Sequence, residues 1–337
     1  MAKEIRSHKE NSLVDRYGRV IHYLRLSVTD RCNLKCVYCH PPHKIEYLDR
    51  SEICSYGEIL NVIRVASKLG IEKIRLTGGE LFLRKEIIEF INSLHEIEDI
   101  KEIVLTTNGT LFLPHLKRLK DIGVRRINVS LDTLSEHLYY QITGSHKFLD
   151  VMEGIHKALE EGFKIKINMV VLKGINEAEI LKFIKYFLRD SVEVRFIEFM
   201  PLCGLGWKEE HFFPSGKIKE MIARCFDLHP LLSSGVAEEF TLSNRNGLKG
   251  KIGIIAPLSR SFCSSCSRIR LSASGELRPC LFSTAKVELL PLLRDDSSPK
   301  EREEKIEVAF REAVNIKPSC RSKNHAVNDV LIRSLGG

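Results

Sequence analysis

No apolar run in this 337-residue chain is long enough to span a membrane, which takes roughly 18 consecutive apolar residues. The opening stretch MAKEIRSHKENSLVDRYGRV lacks the apolar centre of a secretory signal, so no membrane partner is expected. Charge is not concentrated either. The 52 Lys and Arg outnumber 44 Asp and Glu for a formal net charge of +8, yet no basic block stands out. Dispersed positive charge fits a buried pocket for a polyanion better than a nucleic-acid surface, and no nucleic-acid partner is expected. The longest charged stretch, Lys300 to Lys305, mixes signs and reads as a solvated helix face, with Ser298 as N-cap and Pro299 at the first helical position. Internal repeats are absent. Ten cysteines without a secretion signal point to a reducing compartment, where thiols serve as ligands and not as cross-links. The cytoplasm is the expected location. The length suits two average domains or one large barrel.

What is present begins with three cysteines spaced C-x3-C-x2-C, Cys32, Cys36 and Cys39 in TDRCNLKCVYCHPP. Three thiolates in one loop can hold three irons of a 4Fe–4S cluster and leave the fourth iron open to a small molecule. A closed zinc site takes four N/S ligands. No fourth Cys follows in the usual window, and His40 or His43 could supply one, so zinc stays open on the residues alone. The odd number of thiols argues against a disulfide scaffold.

The first two thirds of the chain alternate short apolar runs with amphipathic stretches. Strands read at Val20 to Val28, Lys73 to Leu76, Glu102 to Leu105, Arg126 to Val129, Lys164 to Leu172 and Val192 to Phe199. Between them GEILNVIRVASKLG, RKEIIEFINSLHEI, LPHLKRLKDIG, FLDVMEGIHKALEEG and EAEILKFIKYFLRD repeat apolar residues at helical spacing. Six β-then-α units imply an α/β fold whose parallel sheet is closed or half-closed into a barrel. Polar motifs follow the strands directly: TDRC, TGGE, TTNG, SLD and MP. In such barrels the C-terminal strand ends carry the chemistry, so the cysteine loop shares a rim with these motifs. Turn and cap chemistry alone would also use such residues.

After Pro214 the alternation fades, and SFCSSCSRIRLSASGELRPCLF supplies a second triad, Cys263, Cys266 and Cys280. RIRLSASGELRPC reads as a hairpin turning at Ser274 and Gly275, which returns Cys280 toward the other two. Arg268 and Arg270 alternate with Ile269 and share one face of its first strand. Arg25, Arg75 and Lys166 fall in or at the ends of barrel strands, where a cation is costly to bury unless it meets an anion.

CxxxCxxC after a first strand, followed by GGE after a second, resembles the radical S-adenosylmethionine (SAM) enzymes. LRLSVTDRCNLKCVYC, IRLTGGE, LTTNGTLF, RRINVSLDTL, RFIEFMP with Trp207, FCSSCSRIRLSASGELRPCLF and a terminal GG are similar, more narrowly, to the GTP 3′,8-cyclase family of molybdenum-cofactor biosynthesis, over residues 15 to 337. The resemblance implies a partial (β/α)6 TIM-like barrel with a C-terminal extension carrying a second iron–sulfur cluster. Residues 1–235 would form the radical SAM partial barrel and 236–337 the auxiliary-cluster and substrate-binding region. The implied cofactors are SAM and two 4Fe–4S clusters, one on Cys32, Cys36 and Cys39, the other on Cys263, Cys266 and Cys280. The implied reaction cleaves SAM reductively to a 5′-deoxyadenosyl radical, which takes a hydrogen from ribose C3′ of GTP. C3′ then bonds to guanine C8, giving 3′,8-cyclo-7,8-dihydro-GTP. An external electron donor and a downstream cyclic pyranopterin monophosphate synthase are implied as partners, and a homodimer is left open.

Residue by residue, the resemblance assigns Tyr38, Gly79, Ser130 and Met200 to SAM. It assigns Arg25, Arg75, Thr106, Lys166, Arg268 and Arg270 to GTP, and the second cluster, held by only three Cys, is expected to bind the guanine base at its open iron. Gly79 is expected to let the backbone approach the SAM amino group. Gly336 and Gly337 resemble the family's flexible tail. Three departures stand out. Leu81 replaces the family's proline after GGE and is expected to loosen the SAM loop; His40 replaces a methionine; and the tail reads IRSLGG. Cys54, Cys203, Cys225 and Cys320 match no ligand pattern. Two rivals remain at this point, a peptide-modifying radical SAM maturase and a zinc-stabilised nucleic-acid-binding protein.

Overall fold

The computed structural model describes residues 11–40, 46–188, 192–201, 208–232, 235–244 and 247–320. His43, Cys203, Trp207, Gly336 and Gly337 lie outside the described residues. The six expected strands are present as β1 (Tyr23–Ser27), β2 (Lys73–Thr77), β3 (Glu102–Thr107), β4 (Arg126–Ser130), β5 (Lys164–Val171) and β6 (Glu193–Glu198). Helices α1 (Tyr56–Lys68), α2 (Ile87–His95), α3 (Leu116–Asp121), α4 (Glu136–Thr143), α5 (Phe148–Glu160) and α6 (Ile180–Phe187) alternate with them, and α7 (Ser215–Ala223) follows β6. Helix α4, between SLDT and the expected α5, escaped the periodicity reading; Ser135 caps it and Gly144 ends it in a left-handed conformation.

Local chemistry explains the element ends. Ser55 and Glu58 form a reciprocal capping box at the start of α1, and Ser298 with Glu301 does the same at the last helix, with Pro299 at its first position as the sequence predicts. Helix α1 buries Ile59, Val62, Ile63 and Ala66 and leaves its polar face in water.

The remaining strands extend the same sheet. They are β7 (Asp227–Leu231), β8 (Glu238–Ser243), β9 (Lys249–Ile255), β10 (Arg268–Leu271), β11 (Glu276–Arg278) and β12 (Val287–Glu288), followed by α8 (Leu290–Leu293) and α9 (Pro299–Asn315). The order across the sheet is β12-β11-β10-β1-β2-β3-β4-β5-β6-β9-β8-β7. β10 pairs parallel with β1, and β9 pairs parallel with β6. The six-stranded half-barrel is thus widened at both edges by strands from the C-terminal third, each backed by an antiparallel partner.

The two faces of the barrel strands differ in kind. Along β5, Ile165, Ile167, Met169 and Val171 are buried in the apolar core, whereas Lys166, Asn168 and Val170 face the other way. A TIM barrel ordinarily fills its interior with branched apolar side chains. Here the inward positions of β1, β2, β4, β6 and β10 carry Arg25, Arg75, Arg126, Arg195 and Arg270, and the barrel encloses a cavity of about 880 Å³.

Candidate active site

The first cysteine loop follows β1 and is tied to every neighbouring element. The last carbonyls of a helix have no partner within it, and at α4 they are used: Lys35 N–H donates to Thr143 O and Val37 N–H to Ile142 O, both at 2.9 Å. Gly79 N–H donates to Thr29 O and Glu80 N–H to Arg31 O, both at 2.8 Å, which joins the loop to the turn after β2. From the end of β3, the Asn108 amide donates to Asn33 Oδ1 at 2.9 Å and to Cys32 Sγ at 3.7 Å. From the end of β4, Asp132 Oδ2 accepts from the Tyr38 hydroxyl at 2.6 Å, and Oδ1 accepts from Val170 N–H at 2.8 Å.

Gly79 has a more immediate reason to be glycine than ligand access. A Cβ there would stand 2.1 Å from Arg31 O and 2.9 Å from Cys32 N, so any side chain would displace the cysteine loop. Its N–H is committed to Thr29, which leaves its carbonyl side to meet an amine. Leu81 stands where the family pattern has proline. It is fully buried, and the Glu80 carboxylate anchors the segment by accepting from Asn108 N–H at 2.7 Å and from the Thr107 hydroxyl at 2.9 Å. Burial outweighs these bonds and raises Glu80 to about 7. Asp132 is raised to about 6 by burial, against the bonds from Tyr38 and Val170. The Cys36 thiol is pushed up by burial first and then by Cys39, Asp132 and Cys32. Crowded thiols of this kind suit a bound cluster, which draws the protons off and neutralises the thiolates.

Register places the cations. In β10, β1 and β2, Arg270, Arg25 and Arg75 are direct neighbours, and one level below them Arg268, Tyr23 and Lys73 are neighbours in turn. Both rows face the cavity. Burial, followed by the adjacent Arg270 charge, holds Arg25 well below the usual guanidinium range. Burial and Arg268 bring Arg270 down to about 10. Such crowding of like charge favours an anion beside it. Among the described residues, Tyr23 Oη, Thr106 Oγ1 and Arg75 Nε are buried without hydrogen-bond partners, so the cavity offers unmet polar groups beside its positive charge.

The second triad stands at the other end of the strands. Arg268 is level with Tyr23, the first residue of β1, and Cys266 precedes it by two positions; Cys32 lies in the loop beyond Ser27, the last residue of β1. The triads are therefore separated by on the order of one strand, about 16 Å for five residues. The expected hairpin is present: Arg270 pairs with Arg278 and Gly275 takes a positive φ of 80° in the turn, which returns Cys280 to the level of Arg268. Burial alone would raise the Cys266 thiol, but Arg268 and then Lys317 outweigh it and bring it to about 7. The first triad has a carboxylate for company, the second has cations.

All six cysteines of the two triads line the same cavity, together with Tyr38, Gly79, Ser130, Met200, Arg25, Arg75, Thr106, Arg268 and Arg270. Lys166 does not. Its register neighbour is Glu193, and its ammonium is bonded to that carboxylate; burial and Arg195 bring it down to about 8. The sequence reading missed Lys73, Arg126, Arg195 and Lys317, which also line the cavity. The signal for the first three was an inward strand position shared with Arg25; Lys317, beyond α9, gave none. It also missed Glu198, whose carboxylate accepts from the N–H groups of Ser215, Leu258 and Ser259 and so fixes the segment leading to Met200. Cys54 is a buried thiol at the turn of Gly275. Among the described residues no three His, Cys, Asp or Glu side chains converge as a single-ion site requires.

A half-barrel of parallel strands with a CxxxCxxC loop at the end of its first strand defines the radical SAM class. The profile described as the Radical SAM superfamily matches residues 26–187, and that described as Molybdenum Cofactor Synthesis C matches residues 192–323. The chain is 43% identical over 315 residues to a GTP 3′,8-cyclase of Thermodesulfovibrio yellowstonii, covering 92% of this chain and 96% of that one. It is 40% identical over 332 residues to a GTP 3′,8-cyclase of Desulforamulus reducens, covering 96% and 100%. The chain belongs to the GTP 3′,8-cyclase family of radical SAM enzymes. In fold it is similar to Streptococcus suis SuiB bound to S-adenosylmethionine, with a TM-score of 0.59 at 15% identity over 85% of this chain and 69% of that one. Membership of the superfamily brings a 4Fe–4S cluster and SAM, and the residues of the first loop fit that pair. No helix among the described residues is long and apolar enough to cross a membrane.

Proposed function

We propose that this chain converts GTP to 3′,8-cyclo-7,8-dihydro-GTP within the one cavity, with SAM at the first triad and the nucleotide between the two. The observation that carries this reading is the row Arg270–Arg25–Arg75 across three adjacent strands, facing a cavity with a cysteine triad toward each end. A nucleoside triphosphate is the kind of anion that offsets so many buried guanidinium groups.

Cys32, Cys36 and Cys39 would hold the 4Fe–4S cluster, which with SAM would supply the radical chemistry of the reaction. The chain's own residues hold the reactants. Tyr38, fixed by Asp132, and the Gly79 carbonyl side border SAM from two directions; Ser130 and Met200 close its pocket. Arg25, Arg75, Arg268 and Arg270 bind the triphosphate, and the Thr106 hydroxyl, unpartnered without ligand, accepts or donates one bond to the nucleotide. Lys166 reaches the phosphates only by giving up Glu193. Cys263, Cys266 and Cys280 would hold a second 4Fe–4S cluster, which with three protein thiolates would keep one iron available to the guanine base. Residues 1–235 would carry the radical source and part of the nucleotide site, through Arg25, Arg75 and Thr106, and 236–337 the second triad with Arg268 and Arg270. An external reductant, a downstream enzyme that consumes the cyclised nucleotide, and a cytoplasmic setting complete the reading.

The test is SAM cleavage by the cluster-loaded, reduced protein with and without GTP, under exclusion of air. Release of 5′-deoxyadenosine with cyclised GTP, dependent on GTP, is expected. SAM cleavage indifferent to GTP would remove the substrate assignment and leave the superfamily intact.

A further inference from the structure

Behind the second triad, on the side of α9, two buried cations hold the backbone that carries its three cysteines. Lys317, two residues past α9, is 3% exposed. Its ammonium donates to Arg268 O at 2.7 Å and to Pro279 O at 2.6 Å. Arg268 stands two residues after Cys266 and Pro279 one before Cys280, so a single cation bridges the two strands of the hairpin at the level of their thiols. Arg19 covers the third cysteine: its Nη1 donates to Cys263 O at 2.7 Å. The same guanidinium donates from Nη2 to Pro318 O at 2.6 Å and is held by Asp15, with Nε at 2.5 Å from Oδ2. Asp15 is fixed in turn by the N–H groups of Tyr17 and Arg19, at 2.9 and 3.0 Å.

A buried ammonium is expensive. Two carbonyls at the ends of a hairpin could equally have been met by backbone N–H groups, without a charge. Arg19 shares its charge with Asp15; Lys317 has no carboxylate among its hydrogen-bond partners in the described residues and contributes positive charge beside Cys266 and Cys280. Lys317 also lines the cavity.

We propose that Lys317, with Arg19, is a positioning clasp for the second cysteine triad, setting both its retention of iron and the potential of the cluster it holds. The inference rests on the second-cluster reading above. The two cations fix the carbonyls next to the ligands, and the Lys317 charge favours the more negative, reduced state of a cluster bound there.

The experiment uses the full chain with Cys32, Cys36 and Cys39 replaced by alanine, so that only the second site can load. Lys317→Met and Lys317→Arg are compared with the parent in iron per chain, in rate of iron loss to a chelator, in reduction potential by spectroelectrochemical titration, and in thermal unfolding of the iron-free chains. Removal of an outer-shell partner commonly costs 10- to 100-fold in metal affinity, so roughly 10-fold faster iron loss is expected for Lys317→Met, with a more negative potential; Lys317→Arg should restore both in large part. Unchanged retention and potential in Lys317→Met would overturn the clasp and leave the second cluster standing. Iron loss that tracks a fallen unfolding temperature, with no shift of potential in the iron that remains, would also overturn it, as a packing effect. A parent that takes up no iron at Cys263, Cys266 and Cys280 would overturn the cluster reading, and the clasp with it.

Discussion

Arg25 and Arg270, from opposite ends of the chain, are direct neighbours in adjacent parallel strands, and both side chains are buried at the same cavity. Two guanidinium groups so placed repel each other across a medium that screens poorly. Their proximity at one cavity suits a surface that binds an anion, and the first prediction follows from that. Arg270→Ala, or Arg25→Ala, should weaken GTP binding by roughly 10- to 100-fold, the range for loss of a charged hydrogen bond, while SAM binding is retained. Calorimetric titration of the loaded protein with each ligand separately checks it; equal weakening of both would contradict a divided cavity.

Cys280→Ser should leave the first cluster and SAM binding in place while lowering iron by about four atoms per chain. Iron analysis and SAM binding by equilibrium dialysis read this out. Full iron content with normal GTP turnover in the variant would rule out the second cluster.

Gly79→Ala tests the junction between the GGE turn and the cysteine loop. With a Cβ 2.1 Å from Arg31 O, backbone must move, and overpacking of this kind typically costs about 1–3 kcal/mol, sometimes more. The expected result is a lower unfolding midpoint in denaturant and selective loss of first-cluster iron, even though the substitution removes no ligand.

Tyr38 and Asp132 form a bond that the sequence spacing did not announce. Asp132→Ala frees the Tyr38 hydroxyl and the Val170 N–H together, and about 1–3 kcal/mol is the usual cost of such a loss. SAM affinity should fall by roughly 10-fold with GTP affinity little changed, whereas Tyr38→Phe, which keeps the ring, should show the smaller effect of the two.

Glu80 sets a pH dependence for the cluster-free chain. Its folded value of about 7 lies above its ordinary value of 4.5, so the folded state holds the proton more tightly than the unfolded one. The resulting stabilisation is complete below about 4.5 and is lost as pH rises through about 7, on the order of 3 kcal/mol in all. Glu80→Gln should flatten the unfolding free energy over that window, as measured by denaturant titration at a series of pH values. A slope unchanged by the substitution would place the proton elsewhere.

Much of this was legible in the chain. The six strands appear within a few residues of where β-branched runs place them, because period-two burial is a local property of the sequence. The cysteine spacings and the hairpin at Gly275 were equally local. Helix α4 was not, since its short span carries only Tyr139 and Ile142 as buried apolar residues; its role is to offer carbonyls to the cysteine loop. Lys166 is a substrate contact by resemblance alone, and the pairing of β5 with β6, which no local window announces, sets Glu193 beside it. Lys317 gave no signal, because a lysine after a helix is ordinarily a solvated cation.

The sequence by itself determined which residues can act as ligands, which faces of the strands are polar, and hence that the barrel interior is charged and not packed. Tertiary structure alone decided which of these residues meet. Strand β10 could have followed β9 in the sheet; it crosses instead to the far edge and pairs with β1. That one pairing brings Arg268 and Arg270 beside Tyr23 and Arg25, and sets the second triad at the opposite end of the strands from the first. Register between strands distant in sequence depends on burying apolar faces together and satisfying every backbone bond at once, and no short window of residues carries that information.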